Sequence, residues 1–164
     1  MAGNEYVDRA NRYIEDVLSG RVPACRWVKA ACERQKADLG RKDFEWHFDE
    51  QRAWRVCRFI SLLRHVKGPL AGERIELQPW QCFILTTIFG WVDGKGHRRY
   101  HEAFVEVPRG SGKSTLMSGV ALYMLCADGE KGADVYSFAT TREQAKIVFD
   151  DAQAMARNNA PLKE

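Results

Sequence analysis

One stretch constrains this chain more than any other: Val105-Glu106-Val107-Pro108-Arg109-Gly110-Ser111-Gly112-Lys113-Ser114-Thr115. Phe104, Val105 and Val107 read as an apolar strand. Gly110 and Gly112 make a tight loop, and Lys113-Ser114-Thr115 opens a long apolar helix. Strand, glycine loop and helix in that order are the context a phosphate-binding loop requires. Such a loop turns backbone N–H groups around an anion, and the helix N-terminus adds partial positive charge. Gly110 and Gly112 let the backbone approach closely, Lys113 would reach β- and γ-phosphates, and the Ser114 hydroxyl would ligate Mg²⁺. The usual spacing is glycine, four residues, then Gly-Lys-Ser/Thr. Counting back from Gly112, Val107 stands where the first glycine would be.

The 164 residues suffice for a domain with its own core, 45% of them are hydrophobic, and the net charge of +3 permits nucleic-acid contact without arguing for it. No apolar run reaches the roughly 18 residues that would span a membrane, and Met1 to Glu5 lacks the pattern of a signal peptide. Five cysteines, an odd number without a Cys-x-x-Cys, suit a reduced setting better than a disulfide framework. Cys82 and Cys126 read as small buried hydrophobes. The spacing of His47, His65, His97 and His101 supports no metal site.

Apolar periodicity predicts helices over Tyr6–Ser19, Pro23–Leu39, Glu50–Val66 (capped by Asp49), Trp80–Trp91 (with Pro79 in its first turn) and Lys113–Ala127. A last helix opens at Thr140 or Thr141 and ends at Asn158-Asn159-Ala160-Pro161. Glu33-Arg34-Gln35-Lys36 is a solvated face or a basic contact surface. Phe44, Trp46 and Phe48 alternate with polar residues as a short strand or aromatic loop, and Arg98–Ala103 resembles a hairpin or a strand at a sheet edge. The helix at Lys113 is apolar nearly all round and should be covered on both sides. The next strand is Asp134–Ala139. Strand, helix, strand implies a parallel pair with a right-handed crossover. The expected fold is therefore α/β: a P-loop NTPase-type parallel sheet flanked by helices, incomplete, with a helical appendage. The boundary falls between residues 1–70 and residues 71–164.

Three further features coincide: Leu77-Gln78-Pro79-Trp80-Gln81 upstream, Pro108-Arg109 within the loop, and Ala139-Thr140-Thr141-Arg142-Glu143-Gln144-Ala145 after the next strand. Together they resemble the amino-terminal part of the large terminase subunit of tailed bacteriophages, over roughly Leu77 to Ala156. The resemblance implies an ATP- and Mg²⁺-dependent motor that drives double-stranded DNA into a preformed capsid. It implies a ring on a portal protein with a small terminase subunit as partner, working in the host cytoplasm without a membrane. In that family the loop often lacks the leading glycine and carries an arginine instead, so Val107 fits the resemblance. Arg109 would then act on the transferring phosphoryl group, or pair with an acidic neighbour and fix the loop. Gln81 matches the glutamine that reads adenine, or is a first-turn helix glutamine facing water. Trp80 would stack on the base or pack in the core. The nucleotide site implied is Gln81 with Pro108, Arg109, Gly110, Ser111, Gly112, Lys113, Ser114 and Thr115.

A motor of this kind also needs a Mg²⁺-holding acid and a water-activating carboxylate on another strand, and the family adds a nuclease domain. Neither is found by Glu164, so the chain is expected to be a fragment or truncated frame. Asp150-Asp151 lies within a helix and reads as a solvated acidic turn. Two other readings stay open: a helicase-like translocase or small kinase with a phosphate loop, and a non-catalytic module whose helical start binds a partner.

Overall fold

The computed structural model describes residues 4–159. Six helices and one two-stranded sheet are found among them: α1 (Glu5–Leu18), α2 (Arg26–Leu39), β1 (His47–Phe48), α3 (Glu50–Leu62), α4 (Pro79–Gly90), β2 (Trp91–Val92), α5 (Lys113–Cys126) and α6 (Arg142–Arg157). Helices with a small sheet fit an α/β class loosely. The described residues pack as two compact units, one of residues 4–57 and 77–104, the other of residues 58–76 and 105–159.

In the first unit, α1 buries Tyr6, Val7, Ala10, Ile14 and Val17 against α4, with Tyr13 and Phe83 5.6 Å apart. The Asn4 side chain caps α1 by accepting from the Val7 N–H. Expected helix ends hold within a residue for α1 and α4, but α2 begins at Arg26 rather than Pro23. Trp91, expected in a helix, pairs with Phe48 in an antiparallel ladder, and Val92 pairs with His47. Trp91 is the centre of this end of the core, with Phe44 and Phe48 edge-on at 5.8 and 5.5 Å. Gly90 leaves room for that arrangement, since a Cβ there would sit 2.5 Å from the Phe48 ring. The Val92–Arg98 bridge and the Arg99 N–H to Trp91 carbonyl bond form the expected hairpin.

Polar ties fix α2 in the same unit. The Trp91 indole N–H donates to Gln35 Oε1 at 2.7 Å, and Arg99 donates to the buried Asp38 carboxylate at 2.7 Å. With Cys32, these are the buried residues of the helix. Cys57 and Cys82 also meet in this core. The Cys57 thiol is pushed far up, first because it donates a hydrogen bond to Cys82 and then by burial.

In the second unit α5 packs on α6. Ser118 is fully buried, and its hydroxyl shares its one proton between the Ser114 and Val148 carbonyls at 2.9 and 3.0 Å, tying the two helices through one group. Gly119 lets Ile60 close on α5, where a Cβ would lie 3.1 Å from the isoleucine methyl, and Phe59 meets Tyr123 edge-on at 5.6 Å. Thr141 caps α6 by accepting from the Gln144 N–H. Pro161, read as its terminator, lies outside the described residues, as does the Met1–Gly3 part of the leader reading.

The second unit corrects several expectations. α3 stops at Leu62, not Val66, because residues 63–75 turn back on themselves: His65 donates to Glu73, Gly72 to His65 and Ile75 to Leu63. Met117, Leu125 and Cys126 are exposed, so α5 is covered on one side only. Asp151 is not solvated. It is buried, and Lys67 Nζ lies 2.8 Å from its Oδ2, while Asp150 faces water near Lys146. The two expected strands are unpaired: neither Phe104–Val107, which begins at the last residue of the first unit, nor Asp134–Ala139 enters a ladder among the described residues. Phe104 and Phe138 are 91% and 88% exposed. Parallel strands are stabilised by neighbours on both edges and cover on both faces. Apolar β-formers alone supply the propensity without the pairing.

Candidate functional site

The loop before α5 has the backbone that its glycines permit. Gly110 (φ +81°) and Gly112 (φ +78°) are both left-handed, on either side of Ser111. Side chains rarely adopt that region, and glycine enters it without penalty. Alternation of this kind gathers successive N–H groups into a concavity suited to an anion. Ser111 Oγ donates to the Pro108 carbonyl at 2.7 Å and closes the loop from within. Gly112 is the residue before the first turn of α5, and no side chain caps it. The N–H groups of Lys113, Ser114 and Thr115 therefore lead the helix without a side-chain acceptor, at the positive end of its dipole.

Pro108, Arg109, Gly110, Gly112 and Lys113 are exposed, and Ser111, Ser114 and Thr115 are half-buried. Among the described residues no carboxylate pairs with Arg109 or Lys113, so the acidic partner weighed for Arg109 is not found. Two free cations and an uncapped helix start suit a multiply charged phosphate. For Mg²⁺ the loop offers the Ser114 hydroxyl, and phosphate oxygens and water ordinarily complete such a shell. No group of three or more His, Cys, Asp or Glu residues able to hold a metal occurs among the described residues.

Gln81 belongs to the first unit and does not face water. It is buried in the first turn of α4, and its Oε1 accepts from the Gln78 N–H at 2.9 Å. One half of its amide is committed to capping the helix. Trp80 beside it is half-buried. Ser118 is the residue that reading the sequence missed. It fixes the Ser114 carbonyl and hence the first turn behind the loop, and the signal was a hydroxyl inside an otherwise apolar helix, four residues after Ser114.

A loop hinged on left-handed glycines, feeding an uncapped helix and flanked by cations that meet no carboxylate among the described residues, is an arrangement chemically suited to an anion at a helix N-terminus. Comparison with known families narrows the class. The model of the terminase large subunit, ATPase domain, matches residues 79–163, and the chain belongs to that family. It is 30% identical over 115 residues to the terminase large subunit of Enterobacteria phage HK97, covering 69% of this chain and 22% of that one. It is 31% identical over 94 residues to the terminase large subunits of Lactococcus phages p2 and SK1, covering 55% of this chain and 17% of each. The chain thus spans about a fifth of the length of these relatives. No solved structure matches. No helix among the described residues is long and apolar enough to cross a membrane.

Proposed function

We propose that this chain is the nucleotide-binding part of a phage DNA-packaging ATPase, which couples ATP hydrolysis to movement of double-stranded DNA into a procapsid. The observation that carries the proposal is the uncapped start of α5 behind Gly110 and Gly112, with neither Arg109 nor Lys113 paired to a carboxylate among the described residues. In this reading the backbone of Pro108–Thr115 cradles the phosphates and Lys113 neutralises the β- and γ-phosphoryl oxygens. Arg109 takes up charge that develops on the γ-phosphoryl group. Ser114 supplies the protein oxygen to Mg²⁺. Gln81 reads adenine through its amide N–H groups, its Oε1 being shared with the Gln78 N–H. The segments Phe104–Val107 and Asp134–Ala139 become strands of a parallel sheet completed in the longer protein, which also supplies the carboxylates for Mg²⁺ and water. Ring assembly on a portal, with a small terminase subunit, in the host cytoplasm follows from the same reading.

The test is equilibrium binding of a fluorescent ATP analogue with Mg²⁺ to the whole chain and to Lys113→Ala. Binding that falls at least tenfold in the variant supports the proposal. Equal binding by both, or none by either, overturns it.

A further inference from the structure

The outward face of α2 is a second charged surface, remote in sequence from the loop. Cys32, Gln35 and Asp38 turn inward, and the ties from Gln35 to Trp91 and from Asp38 to Arg99 fix the roll of the helix. Arg26, Lys29, Arg34 and Lys36 are left exposed, with Glu33 the one exposed carboxylate on the helix. Among the described residues none of these four cations pairs with an acid. Arg26 instead stacks on Trp27 at 4.3 Å, and Trp27 is 68% exposed. Arg34 lies over the Tyr100 ring at 5.6 Å.

The first turn makes the arrangement costly for the isolated chain. It holds no acidic residue and no side-chain cap. Arg26 and Lys29 sit at the positive end of the helix dipole, where cations are unfavourable. An external anion relieves both the like-charge crowding and the open N–H groups. The row from Arg26 to Lys36 runs about 15 Å along the helix axis. A duplex offers a phosphate about every 3.4 Å of axis on each strand, so a row of this length faces several phosphates at once.

We propose that the exposed face of α2 binds the phosphate backbone of duplex DNA, with Arg26, Lys29 and Lys36 as the contacting cations and Trp27 packing beside a sugar. The choice of duplex over another polyanion rests on reading the chain as part of a packaging motor; the surface itself does not. Contacts of this type carry no sequence information and are strongly salt-dependent.

The experiment measures affinity of the whole chain for a fluorescent 20-base-pair duplex across a salt series. It is repeated with the triple variant Arg26→Ala, Lys29→Ala, Lys36→Ala, and circular dichroism and urea midpoints check the fold. Each phosphate contact contributes about −0.9 to the slope of log K against log salt. The triple variant should therefore lose about three units of slope and bind at least tenfold more weakly, with ATP-analogue binding unchanged. An unchanged slope, or absent duplex binding by a chain that still binds nucleotide, overturns this proposal and leaves the ATPase reading standing. Tighter binding to poly-glutamate competitor than to duplex also overturns it. Should the triple variant unfold, the charge-reversed Lys29→Glu, Lys36→Glu chain decides by the same slope. Loss of nucleotide binding in Lys113→Ala with the slope intact separates the two sites.

Discussion

Replacing Gly112 by alanine adds one methyl group at the residue that turns the chain into α5, where φ is +78° and ψ 15°. An L-residue in the left-handed region costs about 1–2 kcal/mol. The cost must appear in one of two places. If the loop holds its shape, the whole protein loses about 1–2 kcal/mol in urea unfolding. If the loop relaxes, by letting α5 extend one residue backwards, stability is kept and the anion-competent loop becomes a minor state. Nucleotide affinity then falls by the fraction depopulated, which at 1.4 kcal/mol per decade is about 5- to 30-fold. The two losses together should sum to about 1–2 kcal/mol, measured by titration with a fluorescent ATP analogue and by urea denaturation of the same preparation. Gly132→Ala is the control, because φ there is +72° in a turn away from the loop. It should lose stability alone. A Gly112→Ala chain that matches wild type in both measurements would refute the assignment of the loop, as would a Gly132→Ala chain that loses nucleotide affinity.

Three further outcomes follow from the two units. Asp38→Ala strands the Arg99 guanidinium, whose side chain is only 18% exposed, and breaking a buried pair of this kind costs about 3 kcal/mol. A urea-derived loss under about 1 kcal/mol would show that the tie does not hold α2. Asp93 sits in an exposed turn where local desolvation opposes ionisation, but N–H donors of His97 and Lys95 and the His97 ring outweigh it and hold the carboxyl at about 2. Its folded value lies below its unfolded one, so its contribution is complete above about pH 4 and is lost as pH falls toward 2. Asp93→Asn should flatten the stability–pH curve in that window, and an unchanged curve would remove the turn from the account. Cys25 and Cys126 are exposed while Cys32, Cys57 and Cys82 are buried, and burial raises Cys32 to about 11. An aromatic disulfide reagent should modify two thiols quickly in the native chain and five in denaturant; a third fast thiol would contradict the packing of α1, α2 and α4.

Helices were legible because each carries its own signals. Asn4, Asp49 and Thr141 are acceptors placed before apolar stripes, and each bonds the N–H groups of the turn it precedes. The errors fall where the deciding partner is distant in sequence. Trp91 continues the apolar run of α4, but Phe44, Phe48 and Gln35 hold it in a ladder instead. Asp151 looks like a surface acid by composition, and only Lys67, 84 residues earlier, shows why it is buried. Phe104 and Asp134–Ala139 have strand composition, yet a strand is defined by the edge it pairs with, and composition does not name that edge.

Helix N-termini divide this chain into two kinds, and the division bears on both proposed sites. α1, α3, α4 and α6 begin with side chains that answer their leading N–H groups: Asn4, Asp49, Gln81 folding back on Gln78, and Thr141. α2 and α5 begin without one. At α5 an acceptor side chain is replaced by glycine in a left-handed conformation, with Lys113 as the first helical residue. At α2 the chain enters in extended conformation at Cys25, with Arg26 first. Each places a cation at the end of the helix that already repels cations, a choice that weakens the free protein and strengthens a complex with an anion. The backbone separates what the two can hold. Left-handed glycines at α5 turn a short stretch of backbone sharply at one point, which suits a compact anion in the proposed nucleotide site, whereas α2 has an open row of cations along its length, which suits the proposed polymer.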